Sequence, residues 1–346
     1  MKELDVIEQI RRNFAPGRNQ ALALGIGDDC AILRPSPRSE ILVTTDLTLE
    51  NRHFRRDLHS PESVGHRCLA RGLSDLAAMG ATPLAAFLSL ALPANLLTAK
   101  NRRWISGFFN GLRTLASRHH ITLAGGDTSE SPTDFILVDI VLLGSAPVGR
   151  SLRRSSAKPG DAIYVTGSLG GAAAELSAML ASHKRIARTL KTTGHPQLFP
   201  EPRIATGKAL LRRRLATACI DISDGLSTDL AHLCQSSGVA AEIDQSTLPL
   251  HPLARKLGPE AALNAALNGG EDYELLFAAP ASTRMPRQLA GIPITRIGRF
   301  TRNQAKQPQM TLLNPAGIRT PLAQAGWEHF NESPARKAKP SKPLIP

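Results

Sequence analysis

The 346-residue chain carries 42 Lys and Arg against 29 Asp and Glu, a formal charge of +13, with 42% apolar and 4% aromatic residues. This length exceeds what one compact core accommodates and favours two domains, and no apolar run is long enough to make a membrane-spanning helix. The positive balance raises nucleic acid as a partner, but the basic residues are dispersed and base-stacking aromatics are scarce, so a surface that attracts small phosphorylated metabolites is an equal account and no nucleic-acid partner is expected.

In chain order, Met1-Lys2-Glu3-Leu4-Asp5 mixes charges where a signal peptide needs a basic end and an apolar core, which gives the cytoplasm as the expected location. Val6 to Phe14 has helical apolar spacing closed by Pro16-Gly17. Gly25-Ile26-Gly27-Asp28-Asp29-Cys30 then runs small residues into paired carboxylates. It reads either as a connecting turn or as a backbone that approaches a ligand beside hard oxygen donors. The run Glu40 to Thr45 predicts a buried strand with Asp46 at its end. Ser60-Pro61 predicts an N-cap and first turn, opening a helix through Cys68 and Leu76 that stops at Gly80. Asp75 falls in its last turn, where the macrodipole repels a carboxylate, so either Arg71 or a metal ion should compensate.

Ala85 to Leu92 predicts a strand, Thr98 to His119 a helix, and Ile121 to Ala124 a short strand running into Gly125-Gly126-Asp127. Phe135 to Leu143 reads as a strand buried on both faces. A composition change near Gly149-Arg150 sets the domain boundary, giving domains at 1–149 and 150–330. Beyond it, strand Ala162 to Thr166, a Gly-rich turn and a helix into Leu180 repeat the alternation, and the turn lacks the Lys-Ser/Thr ending of a P-loop. Lys184 to Gly194 reads as an exposed basic segment, and Pro200 to Arg203 as a helix start. Ala218 to Ile220 predicts a strand entering Asp221-Ile222-Ser223-Asp224-Gly225, and Gly269-Gly270-Glu271-Asp272 leads into another strand. The tail 331–346, rich in Pro, Lys, Ala and Ser, reads as disordered. The four cysteines, Cys30, Cys68, Cys219 and Cys234, form no Cys-x-x-Cys pair and read as buried thiols.

Asp28, Asp29, Asp46, Asp75, Asp127, Asp221 and Asp224 all fall beside small residues at predicted element ends. Converging carboxylates raise one another's pKa values and cost stability unless divalent cations neutralise them. Mg2+ suits a site of carboxylates that also binds phosphates, and the chemistry that follows is phosphoryl transfer, which needs positioning more than a protein nucleophile.

The ordered stretches 25–31, 44–46 with His53-Phe54, 73–81, 125–128, 164–167, 221–226 and 269–275 resemble the thiamine-monophosphate kinase family, nearly to the end of the run Gly326-Trp327-Glu328-His329-Phe330. The resemblance implies an α/β, two-domain, aminoimidazole-ribonucleotide-synthetase-like fold whose N-terminal sheet pairs across a homodimer. It implies direct transfer of the ATP γ-phosphate onto thiamine monophosphate without a phosphoenzyme. By position, Asp29, Thr44, Thr45, Asp46, Asp75, Asp127, Asp221 and Asp224 match metal ligands; Gly126, Asp127, Arg150 and Ser223 match nucleotide contacts; His53, Glu271 and Trp327 match substrate positions. The chain departs from the family at Asn51, Gly72 and Phe199, where Gly, Asn and Arg are usual. Selenophosphate synthetases, aminoimidazole-ribonucleotide synthetases and hydrogenase-maturation proteins share the fold and the acidic ATP site, and the substrate-end residues separate them from this reading. A basic nucleic-acid-binding protein is the alternative from a different class.

Overall fold

A computed structural model describes residues 21–26, 30–98, 102–182, 193–305, 307 and 309–327. The expected helix at Val6 to Phe14, Asp28, Asp29, most of the 184–194 segment, Glu328 to Phe330 and the tail lie outside the described residues.

A short hairpin of β1 (Leu22–Leu24) and β2 (Ile32–Leu33) precedes the first sheet. That sheet contains β3 (Ser39–Leu49), β4 (Thr82–Leu92), β5 (Thr122–Glu130) and β6 (Leu137–Pro147) in the order β3-β6-β4-β5. Helices α1 (Pro61–Ala78) and α2 (Arg102–Arg118) lie in the same half. The second sheet orders its strands β14-β13-β9-β12-β7-β10-β8, with β11 (Gln288–Leu289) paired to β12. Its strands are β7 (Ala162–Thr166), β8 (Ala218–Ile222), β9 (Val239–Asp244), β10 (Glu274–Ala279), β12 (Ile292–Arg302), β13 (Met310–Leu313) and β14 (Arg319–Pro321). Around it lie α3 (Gly171–Ser182), α4 (Ile204–Arg212), α5 (Leu226–Ser237), α6 (Pro252–Arg255) and α7 (Pro259–Asn268).

Helix α1 is the central element, buried along almost its whole length. Ser60 caps it as predicted, its hydroxyl accepting from the Ser63 N–H at 3.1 Å. A helix with apolar or small residues on every side is built for packing all round. Gly65 lies against the Phe108 carbonyl of α2 and Gly111 against the Glu62 carbonyl of α1, each so close that a Cβ would sit within 2 Å of the oxygen. On another side Gly72 faces Leu142 of β6, where a Cβ would stand 2.7 Å from Cδ1. A larger side chain at Gly72 would have to displace the Leu142 methyl groups, so the residue here is coupled to the packing of α1 on β6. Toward the second domain α1 packs on α4 and β8, so one helix carries side chains into both halves.

Several boundaries differ from the sequence reading. Asp46 and Asp127 lie inside β3 and β5, not at their ends. The reason is that β6 continues as partner along the full length of β3, so the ladder passes straight through the carboxylate. Strand β6 alternates buried and half-buried residues and is not buried on both faces. Cys68, Cys219 and Cys234 are buried as expected, but Cys30 is exposed.

Candidate active site

Strand alternation decides which predicted ligands can meet. On β3, Leu42, Thr44, Asp46 and Thr48 turn toward α1, whereas Ile41, Val43, Thr45 and Leu47 are exposed on the opposite face. From α1, Arg71, Ser74 and Asp75 project from the last turns toward β3 and β8. Strand β8 supplies Asp221, and the turn after it supplies Ser223 and Asp224.

These elements enclose a cavity of about 380 Å³ lined by Asp46, Asp75, Asp221 and Asp224 together with Arg52, His53, Arg71, Gln197, Ser223, Glu271, Tyr273 and Trp327. Each carboxylate facing α1 has its own local partner. The Thr44 hydroxyl donates to Asp75 Oδ2 at 2.5 Å, the Ser74 hydroxyl to Asp221 Oδ2 at 2.7 Å, and Arg71 to Asp46 Oδ1 at 3.1 Å. The sequence reading offered Arg71 to Asp75; the guanidinium instead takes Asp46, across to β3, and a threonine serves Asp75.

Burial pushes the Asp46 carboxyl up to about 6, against the pull of Arg71 and with a further push from Asp75. Asp75 is raised, chiefly by burial. Asp221 is raised by burial and then by the charge of Asp75. Among the described residues no group of three or more His, Cys, Asp or Glu side chains stands close enough to hold one ion in common. The donors nevertheless fit a hard divalent cation: they are desolvated, mutually repelling carboxylate oxygens, the chemistry such a cation relieves.

The substrate-position residues are fixed by a separate network. The His53 Nδ1 accepts the Leu49 N–H at 2.9 Å, which leaves the ring proton on Nε2. Glu271 sits in left-handed backbone, φ 69°, held by its N–H on the Ser223 carbonyl and by Arg67 and Gln197 on its carboxylate. Burial pushes this carboxyl up, but Arg67, Gln197 and Arg71 outweigh it and keep the group below its ordinary value. Trp327 lines the cavity with 48% of its surface exposed, and its backbone N–H donates to the Asp224 carbonyl at 2.9 Å.

Other predicted residues lie elsewhere. Thr45 faces outward, and Asp127 pairs in register with Ser89, both exposed on β5 and β4. Gly126 lies beside Asp127 in β5, three strands from Asp46, about 14 Å by strand spacing. Arg150 lines a separate hollow of about 330 Å³ with Ser151, Arg153, Arg214 and Thr217.

Sequence reasoning missed Asp229, in the first turn of α5. Its Oδ2 accepts the N–H groups of Ser223, Asp224 and Gly225 at 3.0, 3.1 and 3.2 Å, shaping the loop that presents Ser223 and Asp224. Burial, then Asp221 and Asp224, push it up to about 8. The available signal was an acidic residue four positions after Gly225, at a helix N-terminus. Arg67 and Gln197 were also missed, because their role depends on contacts between distant segments.

The AIR synthase related protein N-terminal domain model matches residues 27–146, and the corresponding C-terminal domain model matches 158–307. Thiamine-monophosphate kinase of Escherichia coli strain K12 is 41% identical over 301 residues, covering 84% of this chain and 89% of that protein. The crystal structure of thiamine-monophosphate kinase from Stenotrophomonas maltophilia K279a is 37% identical with a TM-score of 0.76, covering 88% of this chain and 95% of that one. The structure of AaThiL complexed with AMPPCP and TMP is 30% identical with a TM-score of 0.71, covering 95% and 97%. The similarity thus spans both domains, and the chain belongs to the thiamine-monophosphate kinase family.

Proposed function

We propose that the chain transfers the γ-phosphoryl group of ATP to thiamine monophosphate, giving thiamine diphosphate and ADP. The observation that carries the reading is one interdomain cavity combining four aspartates with an imidazole, a fixed carboxylate and an indole. Its relatives bear the name of this activity, and one was solved with AMPPCP and TMP.

Mg2+ is the proposed cation, with Asp46, Asp75, Asp221 and Asp224 as ligands from the cavity and Asp29, Thr44, Thr45 and Asp127 as the remaining candidates. When bound it neutralises phosphate oxygens and the charge that develops during transfer. The chain's own groups orient the reactants. The Nε2–H of His53 can donate to an anionic oxygen, the Trp327 indole can stack on a cationic heteroaromatic ring, and ionised Glu271 adds a negative charge for that ring. Gly126, Asp127, Arg150 and Ser223 are the proposed nucleotide contacts. Thr45, Gly126 and Asp127 stand away from the cavity within one chain, so their part in the site goes with a second copy packed on the outer face of the first sheet, the proposed homodimer. Residues 1–149 would then form the nucleotide and metal domain, 150–330 the second domain, and the cytoplasm the location. Among the described residues no helix is long and apolar enough to cross a membrane.

The test is incubation with ATP, Mg2+ and thiamine monophosphate, followed by chromatography. Thiamine diphosphate should accumulate with equimolar ADP; ADP without thiamine diphosphate, or neither product, overturns the reading.

A further inference from the structure

The acidic cavity also carries a guanidinium in its wall. Arg71 lies one turn before Asp75 on α1, and its Nε and one Nη donate to the same oxygen, Asp46 Oδ1, at 3.2 and 3.1 Å. Both side chains line the cavity and retain 17% and 18% exposure.

Two other arginines with little exposed surface, Arg203 and Arg67, are committed differently. Arg203 grips both oxygens of Glu274, at 2.7 and 2.5 Å, in the fork-to-fork geometry of a closed structural pair. Arg67 is spent on two main-chain carbonyls and Glu271, with only 3% of its side chain exposed. Arg71 instead touches one carboxylate oxygen, and a guanidinium has five N–H donors. Three donors therefore have no protein acceptor among the described residues, in a cavity wall where the proposed reactants bring phosphate oxygens. The contact is also made to a carboxylate for which a divalent cation competes.

We propose that Arg71 is a phosphate-binding residue of this site, held on Asp46 by an exchangeable ion pair and transferred to the phosphate oxygens when Asp46 takes up a divalent cation. The inference rests on the kinase reading and adds a side chain to it. In the transfer, a terminal oxygen of thiamine monophosphate forms a bond to the γ-phosphorus as the bond from that phosphorus to the β–γ bridging oxygen breaks. The electron pair leaves with ADP. Arg71 donates hydrogen bonds to the non-bridging oxygens throughout and neither gives up nor takes a proton, in keeping with a group that stays charged. The planar fork suits a phosphate better than the single carboxylate oxygen it occupies here.

The experiment uses the full chain and the variants Arg71→Met and Arg71→Lys, with folding checked by circular dichroism. Mn2+ alone is titrated by electron paramagnetic resonance, inorganic diphosphate with Mg2+ by calorimetry, and turnover is measured separately. Arg71→Met should bind Mn2+ alone more tightly, because its competitor for Asp46 is gone. It should bind diphosphate about 10- to 100-fold more weakly, the worth of hydrogen bonds to a charged group, and lose kcat. Arg71→Lys, which keeps the charge but not the fork, should fall between. Unchanged diphosphate affinity in a folded Arg71→Met, or weaker Mn2+ binding as expected if Arg71 only orients Asp46, overturns the proposal. Both titrations are independent of the kinase assay, so a wild-type chain that makes no thiamine diphosphate would fail the functional reading while leaving Arg71 to be judged by them.

Discussion

At the scale of single residues the site is held by carboxylates that burial disfavours in their charged form. Asp229 is pushed up to about 8, Asp272 up to about 7, and Asp221 is raised with them. A carboxyl whose pKa is higher folded than unfolded costs nothing below the unfolded value, where both states are protonated. As pH rises the unfolded chain gives up its proton first, so stability falls until the folded group ionises. His59 and His66, both pushed down to about 4 by burial, act in the opposite sense below about pH 6.5, so the carboxylates are isolated between pH 6.5 and 8. In EDTA, thermal stability should decline across that window by about 1–2 kcal/mol for Asp229 alone. Asp229→Asn, which can still accept the loop N–H groups, should flatten the decline, and Mg2+ at pH 8 should restore stability. A melting temperature that rises over the window in EDTA would contradict the assignment. Residue chemistry was partly legible: aspartates beside small residues marked Asp46, Asp75, Asp221 and Asp224 correctly as neighbours in space. What no spacing could reveal is which face of a strand each one takes, and this separates Asp46 from Thr45.

At the scale of elements, helix α1 was the most legible part of the chain, because its cap, its first-turn proline and its apolar content are local signals. The strands carrying acidic residues were read too short. A carboxylate interrupts hydropathy but not a backbone ladder, and β3 and β5 both continue through theirs. The α1–α2 crossing was not legible at all, since Gly65 and Gly111 look like isolated glycines until each is found against the other helix's carbonyl. Their packing makes a sharp prediction. A Cβ at Gly65 would sit 1.9 Å from the Phe108 carbonyl oxygen, a rigid backbone atom. Gly65→Ala should therefore cost about 2–3 kcal/mol or more despite alanine's better helix propensity, as overpacking does. Urea unfolding measures it; a neutral or stabilised variant would mean the helices cross elsewhere. Asn51 gives the opposite case. It holds φ 64° where the family usually has Gly, and asparagine tolerates left-handed backbone, so Asn51→Gly should leave stability nearly unchanged while Asn51→Val should destabilise.

At the scale of the whole molecule, the first sheet has an inner face buried on α1 and an outer face that is only partly covered. The β1–β2 hairpin packs Leu22 and Leu33 on Ala85, Phe87 and Ala124, but Ile41, Val43, Leu47 and Leu137 remain exposed, Val43 by 63%. Strands β3 and β5 are both sheet edges, and a long edge beside an apolar face invites pairing unless another chain covers it. The same face carries Thr45 and Asp127, the two proposed ligands that one chain cannot bring to its own cavity. The exposed apolar face and the position of Thr45 and Asp127 on it are both accounted for by the proposed homodimer. Val43→Asp places a charge at the centre of that face without touching the inner residues, so circular dichroism and the melting transition should stay close to wild type. Light scattering coupled to gel filtration should report a shift from dimer to monomer, and turnover should fall by at least tenfold with it. A monomeric Val43→Asp that retains full turnover would show that each cavity works alone, and Thr45 and Asp127 would then have no part in the chemistry.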